Sequence, residues 1–112
     1  MSYYHQSDLK NFSKITDLAP DLGKKFFEYY ESATSGESAL SSKEKALIAL
    51  AVAHALKCPY CIDAYTTTCL ERGADPQQMM EAVHISSAMA AGVSLIHGVQ
   101  MQNHLRDMGA CD

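Results

Sequence analysis

Ala46-Leu47-Ile48-Ala49-Leu50-Ala51-Val52-Ala53-His54-Ala55-Leu56, followed by Lys57-Cys58-Pro59-Tyr60-Cys61, is the stretch on which the fold turns. The first eleven residues are apolar apart from His54. Alanine dominates and β-branched residues are few, so the run predicts a buried helix rather than a strand. Just upstream, Ser41-Ser42-Lys43-Glu44 has the form of a capping box, in which a serine hydroxyl accepts from the third helical amide and a glutamate reaches back to the cap amide. Pro59 has no N–H for the carbonyl of Ala55 and biases Cys58 away from the α region, so this helix must end before it. Proline also suits the first position of a new helix. A second helix is therefore predicted from Pro59 to about Arg72, with Gly73 as its C′ residue.

The same reasoning extends to both sides. Asp17 to Ala33 reads as a helix with Pro20 near its start, and Ser35-Gly36-Glu37-Ser38 as a loop. Asp75-Pro76 supplies a second cap followed by a proline, opening a helix from Gln77 to Ala91 that ends near Gly92. Val93 to Met108 forms a last helix, stopped by Gly109. No stretch alternates apolar and polar residues as a half-buried strand would. The prediction is one all-α domain spanning 1–112, with five to six helices and its core in 40–100. The small apolar residues of 46–56 and 82–92 suit close helix approach, which points to a homo-oligomer.

Composition narrows the function classes. Thirteen acidic against nine basic side chains give a net charge of −4. Without a Lys/Arg cluster the chain is a poor match for phosphate backbones, so no nucleic-acid partner is expected. The stretch from Met1 to Asp8 has neither the basic nor the apolar region of a signal peptide. The apolar run ending at Leu56 is too short for the roughly 30 Å of a bilayer core. The expectation is a soluble, cytoplasmic protein without a membrane partner. In that setting Cys58, Cys61, Cys69 and Cys111 suggest catalytic or metal-binding use rather than a disulfide framework.

If Pro59 is the first helical residue, Cys58 is the N-cap and Cys61 sits at the third position. Unpaired amides and the positive end of the helix dipole then favour thiolate over thiol at Cys61. Two intervening residues let the sulfurs meet, so that one thiol attacks and the other resolves. Two inert buried cysteines would also fit the spacing. A zinc site would need further ligands from His54, His84, His97 or Cys69, none of which forms a paired motif. Glutaredoxins carry the same Cys-Pro-Tyr-Cys, but there it follows a β-strand, whereas here it follows a helix.

With Ser42-Lys43-Glu44-Lys45-Ala46-Leu47-Ile48-Ala49-Leu50-Ala51-Val52-Ala53, Cys58-Pro59-Tyr60-Cys61-Ile62-Asp63-Ala64, Glu71-Arg72-Gly73-Ala74 and Glu81-Ala82-Val83-His84, the chain resembles the AhpD-like alkylhydroperoxidase and carboxymuconolactone decarboxylase superfamily. Ser2-Tyr3-Tyr4, Ser7-Asp8-Leu9-Lys10 and His97-Gly98-Val99-Gln100-Met101 further resemble a peroxidase-like subgroup associated with arsenosugar biosynthesis. The resemblance implies an all-helical fold assembled as a homotrimer or homohexamer, and peroxidase chemistry. Cys61 would attack a small peroxide substrate and Cys58 would condense with the resulting sulfenic acid. A dithiol reductant, a lipoyl protein or a thioredoxin-like protein, would restore the pair. No metal, haem, flavin or other cofactor is implied.

The family's motif places a glutamate twelve residues before the first cysteine and a histidine four after the second. Here those positions hold Ala46 and Tyr65. Tyr65 is one turn from Cys61 on the same helix face, so its hydroxyl is placed to hydrogen-bond a thiolate or peroxide oxygen. His54 and His84 are the candidates for the missing base, with His97 more suited to an interface. Glu44 belongs to the capping box, Glu81 to a solvated face, Cys69 to the core, and Met79, Met80 and Met89 to core packing. Two other functions compete: a non-catalytic redox sensor or interaction protein, and a decarboxylase-like enzyme that needs no thiol pair.

Overall fold

The computed structural model describes residues 4–110. Its elements are an N-terminal 3-10 helix (Gln6–Leu18) and four α-helices: α1 (Pro20–Thr34), α2 (Ser42–Ala55), α3 (Pro59–Glu71) and α4 (Pro76–Asp107). No strand occurs among the described residues. The fold is all-α, as the sequence predicts. The Ser41 capping box forms, with Ser41 N–H donating to Glu44 Oε1 at 2.8 Å and Glu44 N–H to Ser41 Oγ at 3.0 Å. Asp75 and Gln78 make a second box at the start of α4.

α2 and α3 fold back on one another as a helical hairpin and carry the core. Ala46 and Leu50 of α2 meet Tyr65 and Cys69 of α3, with Ala74 closing the far end and Tyr30, Leu47, Ala49, Ala64 and Met79 packed around them. Arg72 ties α1 to this hairpin. Its guanidinium donates to the carbonyl oxygens of Thr34 and Ser42 at 2.7 and 3.1 Å, joining the end of α1 to the start of α2.

Three sequence expectations change here. The helix 46–56 is not covered all round, since Ile48, Val52 and Leu56 are exposed while Ala46, Leu50 and Ala53 are buried. Met80 and Met89 also face outward, leaving only Met79 against the core. The predicted break at Gly92 is absent, and Pro76 to Asp107 is one helix. A lone glycine costs a helix only about 1 kcal/mol relative to alanine, and no proline follows to enforce a stop.

The long helix sets the shape. At about 1.5 Å per residue it is roughly 48 Å long, and only its first part is held by α2. From Ser87 to Ala110 every residue except Gly98 and Leu105 is exposed. The radius of gyration is 19.3 Å, well above the roughly 13 Å of a compact chain of this length. An 18-residue window within α4 reaches a mean hydropathy of 1.4, so by length and composition this helix could span a bilayer. Counting uninterrupted apolar residues overlooks it, because His84, Ser86, Ser87, Ser94 and His97 punctuate the run.

The 3-10 helix was not foreseen. It repeats every three residues, and Leu9, Phe12, Ile15 and Leu18 recur at that interval. Leu9, Phe12 and Ile15 turn this edge toward α1 and α3, with Leu9 half-buried and Phe12 and Ile15 still partly open to solvent, while Leu18 is almost fully exposed. Gly23 of α1 allows the close crossing, since a Cβ there would lie 2.8 Å from Thr16 Cα. Gly23→Ala is expected to lift the 3-10 helix while leaving α2 and α3 in place. Hydrogen exchange would then quicken across residues 6–18 alone.

Candidate functional site

α2 ends in a reversal that delivers the two cysteines. Cys58 N–H donates to the Ala53 carbonyl at 3.0 Å and Lys57 N–H to that of His54 at 3.2 Å, the pairing of a Schellman motif. The residue taking the left-handed conformation is Lys57, with φ 55°. Such a conformation costs an L-residue other than glycine roughly 1–2 kcal/mol. Cys58 is the N-cap of α3 and Pro59 its first residue, as the sequence predicts.

The two sulfurs lie 2.6 Å apart as free thiols. The Cys61 amide donates to Cys58 Sγ at 3.3 Å. Here the expectation for Cys61 is overturned. Burial, its hydrogen bond with Cys58 and the charge of that neighbour push the Cys61 thiol up from 9.0 to about 11. The helix amide that was expected to serve Cys61 points instead at the Cys58 sulfur. Protons this close belong to the pair rather than to either residue.

The thiols open onto a cavity of about 460 Å³ between α3, α1 and the 3-10 helix. Leu9, Phe12 and Ile15 form one wall and Ala64 another. Phe12 also stands edge-on to Phe26, Phe27 and Tyr30, which fixes the 3-10 helix against α1. At the rim, Tyr60 O–H donates to Asp8 Oδ2 at 3.3 Å. In the interior, the hydroxyls of Tyr30 and Tyr65 are 2.5 Å apart. Burial, then the bond to Tyr65, pushes the Tyr30 phenol well above the ordinary phenol range, which keeps it protonated.

Of the residues singled out in the sequence, Cys58, Cys61 and Tyr65 are brought together here. His54 and His84 do not line the cavity. His54 Nδ1 lies 2.9 Å from the Leu50 carbonyl, turned back on its own helix. His84 is exposed on α4, and His97 Nδ1 meets the Val93 carbonyl at 2.7 Å. Cys69 is fully buried, and that burial raises its thiol. Glu44 stays in its cap, which lowers its carboxyl. Cys111, Ser2 and Tyr3 lie outside the described residues. No cluster of three or more potential metal ligands occurs among the described residues. Sequence reasoning missed Tyr30 and the wall of Leu9, Phe12 and Ile15. The three-residue apolar interval was a signal for the wall; nothing local marks Tyr30.

Residues 20–101 match the model of the carboxymuconolactone decarboxylase family. The chain belongs to this family. A family member from Legionella pneumophila, crystallised in its apo form, superposes with a TM-score of 0.67 at 26% identity, covering 91% of this chain and 95% of that one. Over 61 residues the chain is 39% identical to a Paracoccus denitrificans protein named uncharacterized protein 4 in cox locus. That match covers 54% of this chain and 55% of the relative, so it spans about half of the curated relative's length.

The reduced family member should show a Cys61 thiol that resists alkylation. Iodoacetamide is expected to modify Cys61 slowly near neutral pH and faster as pH nears 11. Removing the neighbour with Cys58→Ser should bring the Cys61 profile to lower pH. Peptide mass spectrometry across a pH series reads both.

Proposed function

We propose that this carboxymuconolactone decarboxylase family protein is a thiol-dependent peroxidase or disulfide reductase, with Cys61 as attacking and Cys58 as resolving thiol. The observation that carries the reading is a pair of free thiols in contact at a helix N-terminus, facing a largely apolar cavity large enough for a small substrate. When the pair holds one proton, its transfer to Cys58 leaves Cys61 as thiolate. Cys61 takes the distal oxygen of a peroxide and becomes a sulfenic acid. Cys58 then forms the disulfide and water leaves. A small dithiol, a lipoyl group or a thioredoxin-like protein, returns two electrons in a reducing compartment such as the cytoplasm.

A redox sensor is the second reading, favoured by the absence of histidine from the cavity lining. Sustained peroxide consumption with dihydrolipoamide supports the enzyme; a single oxidation that stalls supports the sensor. A decarboxylase would keep its activity after both thiols are alkylated. In the enzyme, Cys61→Ser abolishes turnover. Cys58→Ser still takes up one oxidising equivalent and accumulates a sulfenic acid at Cys61 that dimedone traps.

We further propose that the exposed half of α4 packs against other copies of this chain, as a homotrimer or homohexamer. The first half of the helix packs on α2, with Ala82 buried, so the surface left to be covered is the apolar second half. Gly92 and Gly98 have open space around them within one chain, so their small size has its use where another helix approaches. Gly92→Ala is expected to shift sedimentation toward smaller species, although alanine alone favours the helix by about 0.5–1 kcal/mol.

A further inference from the structure

The Tyr30 and Tyr65 hydroxyls carry two hydrogens between them, and their mutual bond uses one. The other finds no acceptor among the described residues. Tyr65 is only 8% exposed, and both rings line the cavity that holds the two sulfurs. An O–H donor held in a mostly carbon-lined space is costly to leave unpaired. It is therefore available to an oxygen bound in the cavity.

We propose that the Tyr30–Tyr65 pair is the proton donor of the thiol site, its spare O–H bonding the leaving oxygen of a peroxide as Cys61 attacks. This rests on the peroxidase reading above. The Cys61 thiolate forms a bond to the distal oxygen, which keeps its hydrogen, and the O–O bond breaks. Its electron pair leaves on the proximal oxygen as alkoxide or hydroxide. The phenol protonates that oxygen, giving an alcohol or water, and the phenolate regains a proton from solvent. Burial keeps Tyr30 protonated and so suits it to donating rather than accepting. The pair stands in as an acid for the absent glutamate and histidine, and it explains how a site without a resident base could still cleave an O–O bond. Tyr65 is the catalytic residue and Tyr30 the positioning one.

The test compares two oxidants on the reduced full chain. tert-Butyl hydroperoxide needs a proton on its leaving oxygen, whereas peracetic acid releases acetate, which does not. The Tyr30→Phe, Tyr65→Phe double variant is expected to lose about 10²-fold in rate with the hydroperoxide and nothing with the peracid. Unchanged iodoacetamide reactivity of Cys58 shows that the thiol site is intact in the variant. On the unmodified chain, a solvent deuterium isotope effect is expected with the hydroperoxide alone, a readout that survives should the variant not fold. Equal losses with both oxidants, or no loss with either, overturn the proton-donor role while leaving the peroxidase reading standing. If the unmodified chain reacts with both oxidants no faster than free cysteine, the peroxidase reading fails and this role falls with it.

Discussion

Everything at the thiol site depends on a three-residue reversal from Leu56 to Cys58. Pro59 cannot continue α2, so the chain must turn there, and the Schellman bonds to Ala53 and His54 determine how. The equivalent positions after α3 and α4 are glycines, Gly73 and Gly109, both with positive φ. After α2 the position is Lys57. This strain is tolerated because both sides of the turn are anchored: α2 by Leu50 and Ala53 in the core, α3 by Tyr65 and Cys69. The consequence is that Cys58 is presented as an N-cap, a role usually taken by Ser, Thr, Asp or Asn.

That placement divides labour between the sulfurs. Spacing alone makes them equivalent partners, and the helix dipole alone would favour Cys61. Direct contacts outweigh the dipole, because the Cys61 amide is spent on Cys58 and burial falls on Cys61. The cavity adds a second asymmetry. Its interior hydroxyls are the phenols of Tyr30 and Tyr65, Tyr60 and Asp8 are paired at its rim, no imidazole lines it, and its walls are chiefly carbon.

Much of this was legible in the sequence where the determinants are local. Ser41 with Glu44, Cys58 with Pro59, Asp75 with Pro76 and Gly73 each act within four residues, and each did what its chemistry predicts. Tyr65 was legible because it sits one turn from Cys61. Tyr30 was not, being 35 residues away and brought in by the packing of α1 on the hairpin. Gly92 misled because a helix absorbs one glycine at small cost. The 3-10 helix was hidden by its period of three, which matches neither the 3.6 of an α-helix nor the 2 of a strand.

Cys69 adds a last consequence. The described part of the chain holds three free thiols within twelve positions of α3 and its cap, a crowding that invites scrambled pairings in most redox proteins. Eight residues of helix put Cys69 about 12 Å along the axis from Cys61, beyond the roughly 7 Å between Cα atoms that a disulfide allows. Full burial shuts out an external thiol as well. The third sulfur is thus insulated from exchange by the rigidity of the helix that carries it, and these three thiols can hold one internal bond and pass electrons only in twos.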